Sequence, residues 1–212
     1  MLLCGASAPR GTVKCFAEAR ERVYELACCP LKSIMSHAFL FLDVDGVLNS
    51  QASRNQRREQ GMDMLEASLP TSEHLASLRR LVSSVPNCAV VLSTSWRLIE
   101  EDRRLLDSAL ATVDIAAIGA TRDLCGKGDF ATRVDEIHDW LESSNMSCDC
   151  AWLALDDVDL TVGVSPERMN EAHFVRTDDA VGLTPANVDD AIEKLRLLQS
   201  QVATVRAGKD ET

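Results

Sequence analysis

The sequence predicts an α/β domain built as a three-layer, doubly wound parallel sheet. Five short apolar segments of strand length alternate along the chain with stretches whose apolar residues recur at helical spacing. Strands that are apolar on both faces are typical of a parallel sheet covered by helices on both sides. The first of these strands ends abruptly in two acidic residues, which places polar groups at the carboxyl edge of the predicted sheet.

The elements follow in order along the chain. Each strand candidate is a short apolar run with polar or turn-forming residues at its ends. Each helix candidate carries one apolar stripe, and the last one opens with Thr184 as N-cap and Pro185 at the first helical position. The predicted strands are residues 38–44, 88–94, 115–118, 151–155 and 173–176, and the predicted helices cover 72–85, 98–110, about 130–141, and a segment from 185 onward.

The 212 residues suffice for one hydrophobic core with some excess at the termini. Residues 1–36 lack clean periodicity, and we predict an N-terminal appendage of unknown role. The predicted domain covers residues 37–200, and residues 201–212 form a C-terminal tail. Residues 46–70 follow the first strand without an apolar stripe and are rich in arginine, so we expect either no cap or a minimal flap there.

Composition excludes some classes of protein. The formal net charge is −11, which disfavours nonspecific coating of nucleic acid. No apolar run approaches the roughly 20 residues that a membrane span requires. We therefore expect a cytoplasmic protein without membrane attachment, and no stable protein partner is predictable.

Acidic and hydroxyl side chains follow three of the predicted strands. Asp43 and Asp45 end the first strand, Asp156 and Asp157 end the fourth, and the second runs into residues 93–95, which are Ser-Thr-Ser. Carboxylates beside a buried strand are costly unless a cation compensates them. An Asp-x-Asp-Gly segment alone also suits a turn or a calcium loop, but the apolar run before it favours a metal and phosphate site at the sheet edge.

These motifs, in this order, resemble the haloacid dehalogenase (HAD) superfamily, and most closely the small HAD domains associated with Swiss Army Knife RNA-repair proteins. The resemblance covers about residues 37–199 and implies a HAD-like Rossmannoid fold. The segments that carry it are Asp43-Val-Asp-Gly-Val-Leu-Asn-Ser50, Leu92-Ser-Thr-Ser-Trp-Arg97, Arg133-x-x-Glu136-Ile137-x-x-Trp140-Leu141, Leu155-Asp-Asp157, Arg176-Thr-Asp178 and Gly182-Leu-Thr184.

The resemblance implies a phosphatase that acts on a phosphomonoester. Asp43 would be the nucleophile that becomes an aspartyl-phosphate. Asp45 would protonate the leaving oxygen and later activate water. Mg²⁺ would be held by Asp43, by Asp45 through its backbone carbonyl, by Asp156, and by Asp157 directly or through water.

The resemblance also implies residues that bind the transferring phosphoryl group. Thr94 would bind it, assisted by Ser95. The family places a cation at the start of the helix before the fourth strand, and Arg133 matches that spacing. Lys127, in Gly126-Lys127-Gly128, is the alternative, and we favour Arg133.

A short flap would leave an open site that suits a bulky substrate such as a nucleic-acid end, which is the basis for a role in RNA repair. Arg54, Arg57 and Arg58 would then contact a phosphate backbone, although the overall acidity opposes this. We interpret Trp96 as packing rather than as a base-stacking platform. Arg97 fits a salt bridge and a substrate contact equally well.

Two alternatives belong to other classes of protein. One is a catalytically idle HAD fold used as a binding module, although both acids of the first motif are present. The other is a phospho-receiver regulator, whose phosphorylated Asp belongs at the end of the third strand. Here that predicted strand ends in Ile118-Gly119-Ala120, which does not supply one.

Overall fold

The computed structural model describes residues 37–124, 132–144 and 150–209. The predicted appendage at 1–36 and the alternative cation Lys127 lie outside these residues. The five strands are β1 (Ala38–Leu42), β2 (Cys88–Leu92), β3 (Ala117–Ala120), β4 (Ala151–Asp156) and β5 (Phe174–Arg176). The α-helices are α1 (Gln51–Glu59), α2 (Met64–Ser68), α3 (Ser72–Ser84), α4 (Glu100–Ala111), α5 (Arg133–Ser143) and α6 (Pro185–Lys209).

All strand pairs are parallel, and the sheet order is β3-β2-β1-β4-β5. The chain moves outward from β1 through β2 to β3, and then crosses to the other side of β1 for β4 and β5. Leu42 at the end of β1 pairs with Leu92 of β2 and with Leu155 of β4. The residues that follow these three leucines therefore meet at the point where the strand order reverses, which is where open α/β sheets bind ligands.

The sheet is covered on both faces, which confirms the predicted fold class. Alternation along β1 sends Leu40 and Leu42 into one apolar cluster, with side chains of α3, α4 and α6. Phe39 and Phe41 enter a second cluster, with side chains of α5. The residues of β1 are at most 4% exposed. This buried strand fixes the position of Asp43, which directly follows it.

The third strand begins two residues later than predicted. The amide of Ile115 donates to the carbonyl of Leu110 at 3.1 Å, so this apolar residue closes the end of α4 instead of starting β3. Asp114 before it has a φ of 57°, a conformation that belongs to a turn. The apolar pattern alone did not distinguish a buried turn residue from the first strand residue.

Polar caps set the starts of α5 and α6, whereas α4 begins without a side-chain cap. The helix predicted from residue 98 begins at Glu100, because a 3₁₀ turn over Ser95–Arg97 precedes it. The helix predicted at about 130–141 begins at Arg133, where the Thr132 hydroxyl accepts a hydrogen bond from the amide of Asp135. The predicted cap of the last helix is confirmed, since the Thr184 hydroxyl accepts from the amide of Asn187 at 3.2 Å.

The segment 46–70 contains the two short helices α1 and α2. Ser50 and Ser53 form a reciprocal capping box at the start of α1, and Asp63 caps α2. No residue of α1 is buried, so this helix is specified by its caps rather than by an apolar stripe. Among the described helices, none is long and apolar enough to cross a membrane.

Candidate functional site

Three carboxylates converge at the carboxyl edge of the sheet. The amide of Asp43 donates to the carbonyl of Leu155 at 3.0 Å, which extends the β1–β4 pairing beyond the last paired leucines. Asp43 is 5% exposed and Asp156 is 2% exposed, while Asp157 is partly exposed. One carboxylate oxygen from each of these three residues lies within 4.8 Å of the other two.

Arg133 is the counter-charge of this group. It is the first residue of α5, and one guanidinium nitrogen, Nη1, lies 2.9 Å from Asp43 Oδ1 and 2.7 Å from Asp156 Oδ2. The capping box at Thr132 holds the helix start in place, which positions the arginine over the two acids. The predicted cation thus reaches the predicted nucleophile.

Burial dominates the electrostatics of the cluster. It raises the pKa of Asp156 to about 7, against the opposing effect of Arg133. It also raises the pKa of Asp43, against the guanidinium, the Val44 amide and the Thr94 hydroxyl, and it raises the pKa of Asp157. These carboxylates therefore resist carrying charge together unless a further cation joins them.

The donor set fits a magnesium ion. Three ionised carboxylates and one guanidinium leave a formal charge of −2 in a buried place, which one divalent cation would balance. Mg²⁺ prefers hard oxygen ligands of this kind and keeps part of its water shell. The converging group does not include the carboxylate of Asp45. Asp45 was predicted to bind the metal through its backbone carbonyl instead, and that role stays a prediction.

Hydroxyl groups line the end of β2. Thr94 is fully buried, and its hydroxyl is hydrogen-bonded to the carboxylate of Asp43. Ser95 is exposed at the start of the 3₁₀ turn, where its side chain is open to solvent. Ser93 is 2% exposed, and its hydroxyl is a buried side-chain oxygen that has no hydrogen-bond partner among the described residues.

Arg97 lies beneath this loop as part of a buried ion pair. Its Nη2 is 2.7 Å from Glu136 Oε2, and the two side chains are 6% and 8% exposed. Its other nitrogens donate to the carbonyls of Thr94 at 2.6 Å and Thr121 at 2.8 Å. The salt-bridge interpretation of Arg97 therefore holds. Since Glu136 lies one turn after Arg133 on α5, the pair connects the Thr94 loop to the helix that presents the cation.

Asp45 is held by two neutral donors. The indole Nε1 of Trp96 donates to Asp45 Oδ2 at 3.0 Å, and the amide nitrogen of Asn49 donates to Asp45 Oδ1 at 3.0 Å. Neither donor was predicted from the sequence. Trp96 is buried, as the packing interpretation required, and it makes this polar contact as well.

Gly46 lets the chain pass directly over Asp157. It has a φ of +70°, and a Cβ placed on it would lie 2.5 Å from Asp157 Cγ. Any side chain at this position would therefore displace an acid of the cluster. The glycine of the first motif is required both for its backbone conformation and for this close approach.

Two of the three arginines predicted to contact a phosphate backbone make contacts inside the protein. Arg54 donates to Asn49 Oδ1 at 2.9 Å and pairs with Asp179 at 2.6 Å. Arg57 donates to the carbonyl of Leu69 at 2.5 Å. Arg58 is exposed. The guanidinium groups of Arg54 and Arg57 are thus engaged within the domain instead of being presented to a polyanion.

Acidic residues at the ends of two adjacent central parallel strands, with a buried hydroxyl on a third, define an α/β domain of the HAD class. The family model described as the HAD domain in Swiss Army Knife RNA repair proteins matches residues 39–188, and the chain belongs to this family. No curated protein and no solved structure matches the chain. The predicted superfamily and family are therefore confirmed, whereas the role of each site residue is still a prediction.

Proposed function

We propose that this chain is a Mg²⁺-dependent phosphatase that cleaves a phosphomonoester through an aspartyl-phosphate on Asp43. The observation that carries the proposal is the convergence of Asp43, Asp156 and Asp157 with Arg133 on one buried edge. Membership of a HAD family supports phosphohydrolase chemistry for such a cluster. Mg²⁺ bound by these carboxylates would supply positive charge for the phosphoryl oxygens and keep the acids ionised.

The residues of the chain divide the reaction into two displacements. A carboxylate oxygen of Asp43 attacks phosphorus, and the bond from phosphorus to the ester oxygen breaks. Asp45 gives its proton to that oxygen, which leaves as an alcohol. In the second displacement, Asp45 takes a proton from water as the water oxygen attacks phosphorus, and Asp43 leaves as a free carboxylate together with inorganic phosphate.

Thr94, Ser95 and Arg133 would hold the phosphoryl group during both steps. The contact of Thr94 with Asp43 supports its place beside the attacking oxygen. Arg133 lies 2.9 Å from Asp43 Oδ1 and would stabilise charge on the transferring group. Separate Arg133→Ala and Lys127→Ala variants test this assignment, and intact turnover in the first with lost turnover in the second would reverse it.

A chromogenic phosphomonoester assay with and without Mg²⁺ tests the proposal itself. We expect activity that depends on Mg²⁺ and falls at least about 1,000-fold in Asp43→Asn, because the nucleophile is lost while the shape is kept. Asp159→Asn is the matched control, since Asp159 is an acid of the loop that follows β4 but pairs with Arg176. Wild-type turnover no faster than Asp43→Asn would favour the idle binding module.

Sheet order argues against the phospho-receiver alternative. In such a regulator the phosphorylated Asp follows the third strand, whereas here β3 lies at the edge of the sheet. It is followed by Thr121 rather than by an acid. The acids instead follow β1 and β4, which are adjacent.

Phosphorylated nucleic-acid ends are the substrate class that the family description favours, since it refers to RNA repair proteins. The segment that follows β1 forms only two short helices, which also suits a bulky substrate. The net charge of −11 and the internal contacts of Arg54 and Arg57 weigh against extended backbone contacts. Phosphatase assays that compare 3′- and 5′-phosphorylated oligonucleotides with a metabolite panel decide between polynucleotide and small-molecule substrates. Activity confined to small sugars or nucleotides would rule out the polynucleotide substrate.

A further inference from the structure

We propose that Trp96 and Asn49 are positioning residues that fix the carboxylate of Asp45 in the orientation required for proton transfer to the leaving group. The inference rests on the proposed function, in which Asp45 is the proton donor. Each residue occupies a different oxygen: Trp96 Nε1 lies 3.0 Å from Oδ2, and Asn49 Nδ2 lies 3.0 Å from Oδ1.

Trp96 can only donate a hydrogen bond to Asp45. The indole nitrogen is a donor and never an acceptor, so Asp45 Oδ2 must be the acceptor of this bond. Trp96 is 7% exposed and belongs to the larger apolar cluster, so packing restricts the orientation of its ring. Its backbone amide also bonds to the Thr94 hydroxyl at 3.4 Å, so the ring is anchored in the loop that lies beside the nucleophile.

The amide of Asn49 is oriented by its own neighbours. Its Oδ1 accepts from the amide of Gly46 at 3.2 Å and from Arg54 Nη1 at 2.9 Å, which leaves the nitrogen to face Asp45. That nitrogen also donates to the carbonyl of Ser68 at 2.5 Å. The side chain is fully buried. If the amide were flipped, its nitrogen would face two hydrogen-bond donors, the amide of Gly46 and the guanidinium of Arg54. The hydrogen-bond network therefore determines the orientation of the side chain.

The same network gives the segment 46–70 a function. Arg54 on α1 is held by Asp179 at 2.6 Å, and it fixes Asn49, which fixes Asp45. Ser68 on α2 contributes its carbonyl to the same asparagine. This segment therefore holds the carboxylate of Asp45 in place through Asn49.

An unsupported aspartate turns about its terminal torsion, because that torsion has a broad energy well. With one lone pair on each oxygen taken up by Trp96 and Asn49, the remaining lone pairs point in fixed directions, and a proton on one of them has a fixed direction too. A correctly oriented acid contributes about 100- to 10,000-fold to the rate of a proton-transfer step. Its orientation matters most when the leaving oxygen is strongly basic.

The test measures kcat/KM in Mg²⁺ for ring-substituted phenyl phosphates, from 4-nitrophenyl through unsubstituted phenyl to 4-methoxyphenyl phosphate. In Trp96→Phe, which keeps an aromatic ring but lacks the N–H donor, we expect a loss of about 10-fold or more on the methoxy ester. On the nitro ester, whose leaving group hardly needs a proton, we expect a loss below about 3-fold. Trp140→Phe is the matched control, since Trp140 packs edge-on against Phe39 and Phe41.

An equal loss on every ester, or none, would overturn the positioning role of Trp96. Should Trp96→Phe fail to fold, Arg54→Met replaces it, because Arg54 lies on helix α1, pairs with Asp179 and reaches Asp45 through Asn49. The same steepened dependence on the leaving group is expected, and a flat dependence would refute the inference. Wild-type protein without activity on any ester would instead refute the proposed function, so the two failures are distinguishable.

Discussion

Replacing Asp156 with asparagine should abolish activity and stabilise the metal-free protein above neutral pH. Asp156 is 2% exposed, and burial raises its pKa to about 7 from an ordinary value of 3.8. Asparagine keeps the shape, and its oxygen can still accept the bond that the amide of Val158 gives to Asp156 Oδ1 at 2.9 Å. The variant therefore removes a buried charge together with its ion pair to Arg133, while it preserves the bond from Val158.

The magnitude follows from proton linkage. The folded-state pKa of Asp156 lies above the unfolded value, so the folded protein holds this proton between about pH 4 and pH 7 while the unfolded chain does not. The resulting contribution to stability is complete below the unfolded pKa and is lost as the pH rises through 7. From pH 5 to pH 7 the loss covers two units at about 1.4 kcal/mol each, or about 3 kcal/mol. For a domain of this size that corresponds to roughly 6–12 °C in melting temperature.

Thermal melts in EDTA at pH 5 and pH 8 measure this difference. Wild-type protein should lose stability between the two values, whereas Asp156→Asn should lose less by about the amount above. Asp107→Asn, which removes an ion pair with Arg103 on α4, is the control and should follow wild type. Mg²⁺ should restore wild-type stability at pH 8, because the metal binds the ionised carboxylates. Melting temperatures that shift in parallel for wild type and Asp156→Asn would refute the reasoning.

Two further substitutions test the geometry of the site. Gly46→Ala should lower stability by about 2 kcal/mol or more and impair turnover, because its Cβ would collide with Asp157 in addition to the strain of a φ of +70°. Gly61→Ala, with a φ of +86° and no atom near the new Cβ, should lose only about 1 kcal/mol in urea unfolding, and an equal loss would contradict the collision. Arg97→Met should lose about 3–5 kcal/mol by leaving Glu136 buried without its partner, and adding Glu136→Leu should recover much of this loss. A double variant as unstable as the single one would contradict that account.

The sequence was sufficient to predict the sheet and its acidic edge. A buried parallel strand is an apolar run, and it ends where a polar residue begins, so Asp43 and Asp156 marked the ends of β1 and β4 directly. Parallel strands share one carboxyl edge, which is why acids 113 positions apart by number were expected to meet. Arg133 was located by its spacing in a family motif, and the helix start that carries it is set by a cap that the sequence also contains.

Features specified by polar contacts were harder to predict. Helix α1 buries none of its residues and so has no apolar stripe from which it could be predicted, although the residues of its capping box at Ser50 are present in the sequence. The bond from Trp96 to Asp45 spans 51 positions, and the pair of Arg97 with Glu136 spans 39. Neither pairing has a periodic signature, because each depends on how segments far apart in the sequence meet in the folded domain.

The arginines of this acidic chain reveal how the site is balanced. Arg54 and Arg97 are held by internal carboxylates, and so neither is free to attract a phosphate. Arg133 is shared between Asp43 and Asp156, whose charges together exceed its own once both carboxyls are ionised. A phosphate dianion that approached the ionised cluster without a metal would meet net negative charge and would have to compete with both acids for one guanidinium. Neutralisation of the carboxylates by a divalent cation removes that competition, so metal binding should precede productive substrate binding, and the affinity for substrate should depend on the metal even in an Asp43→Asn variant that performs no chemistry.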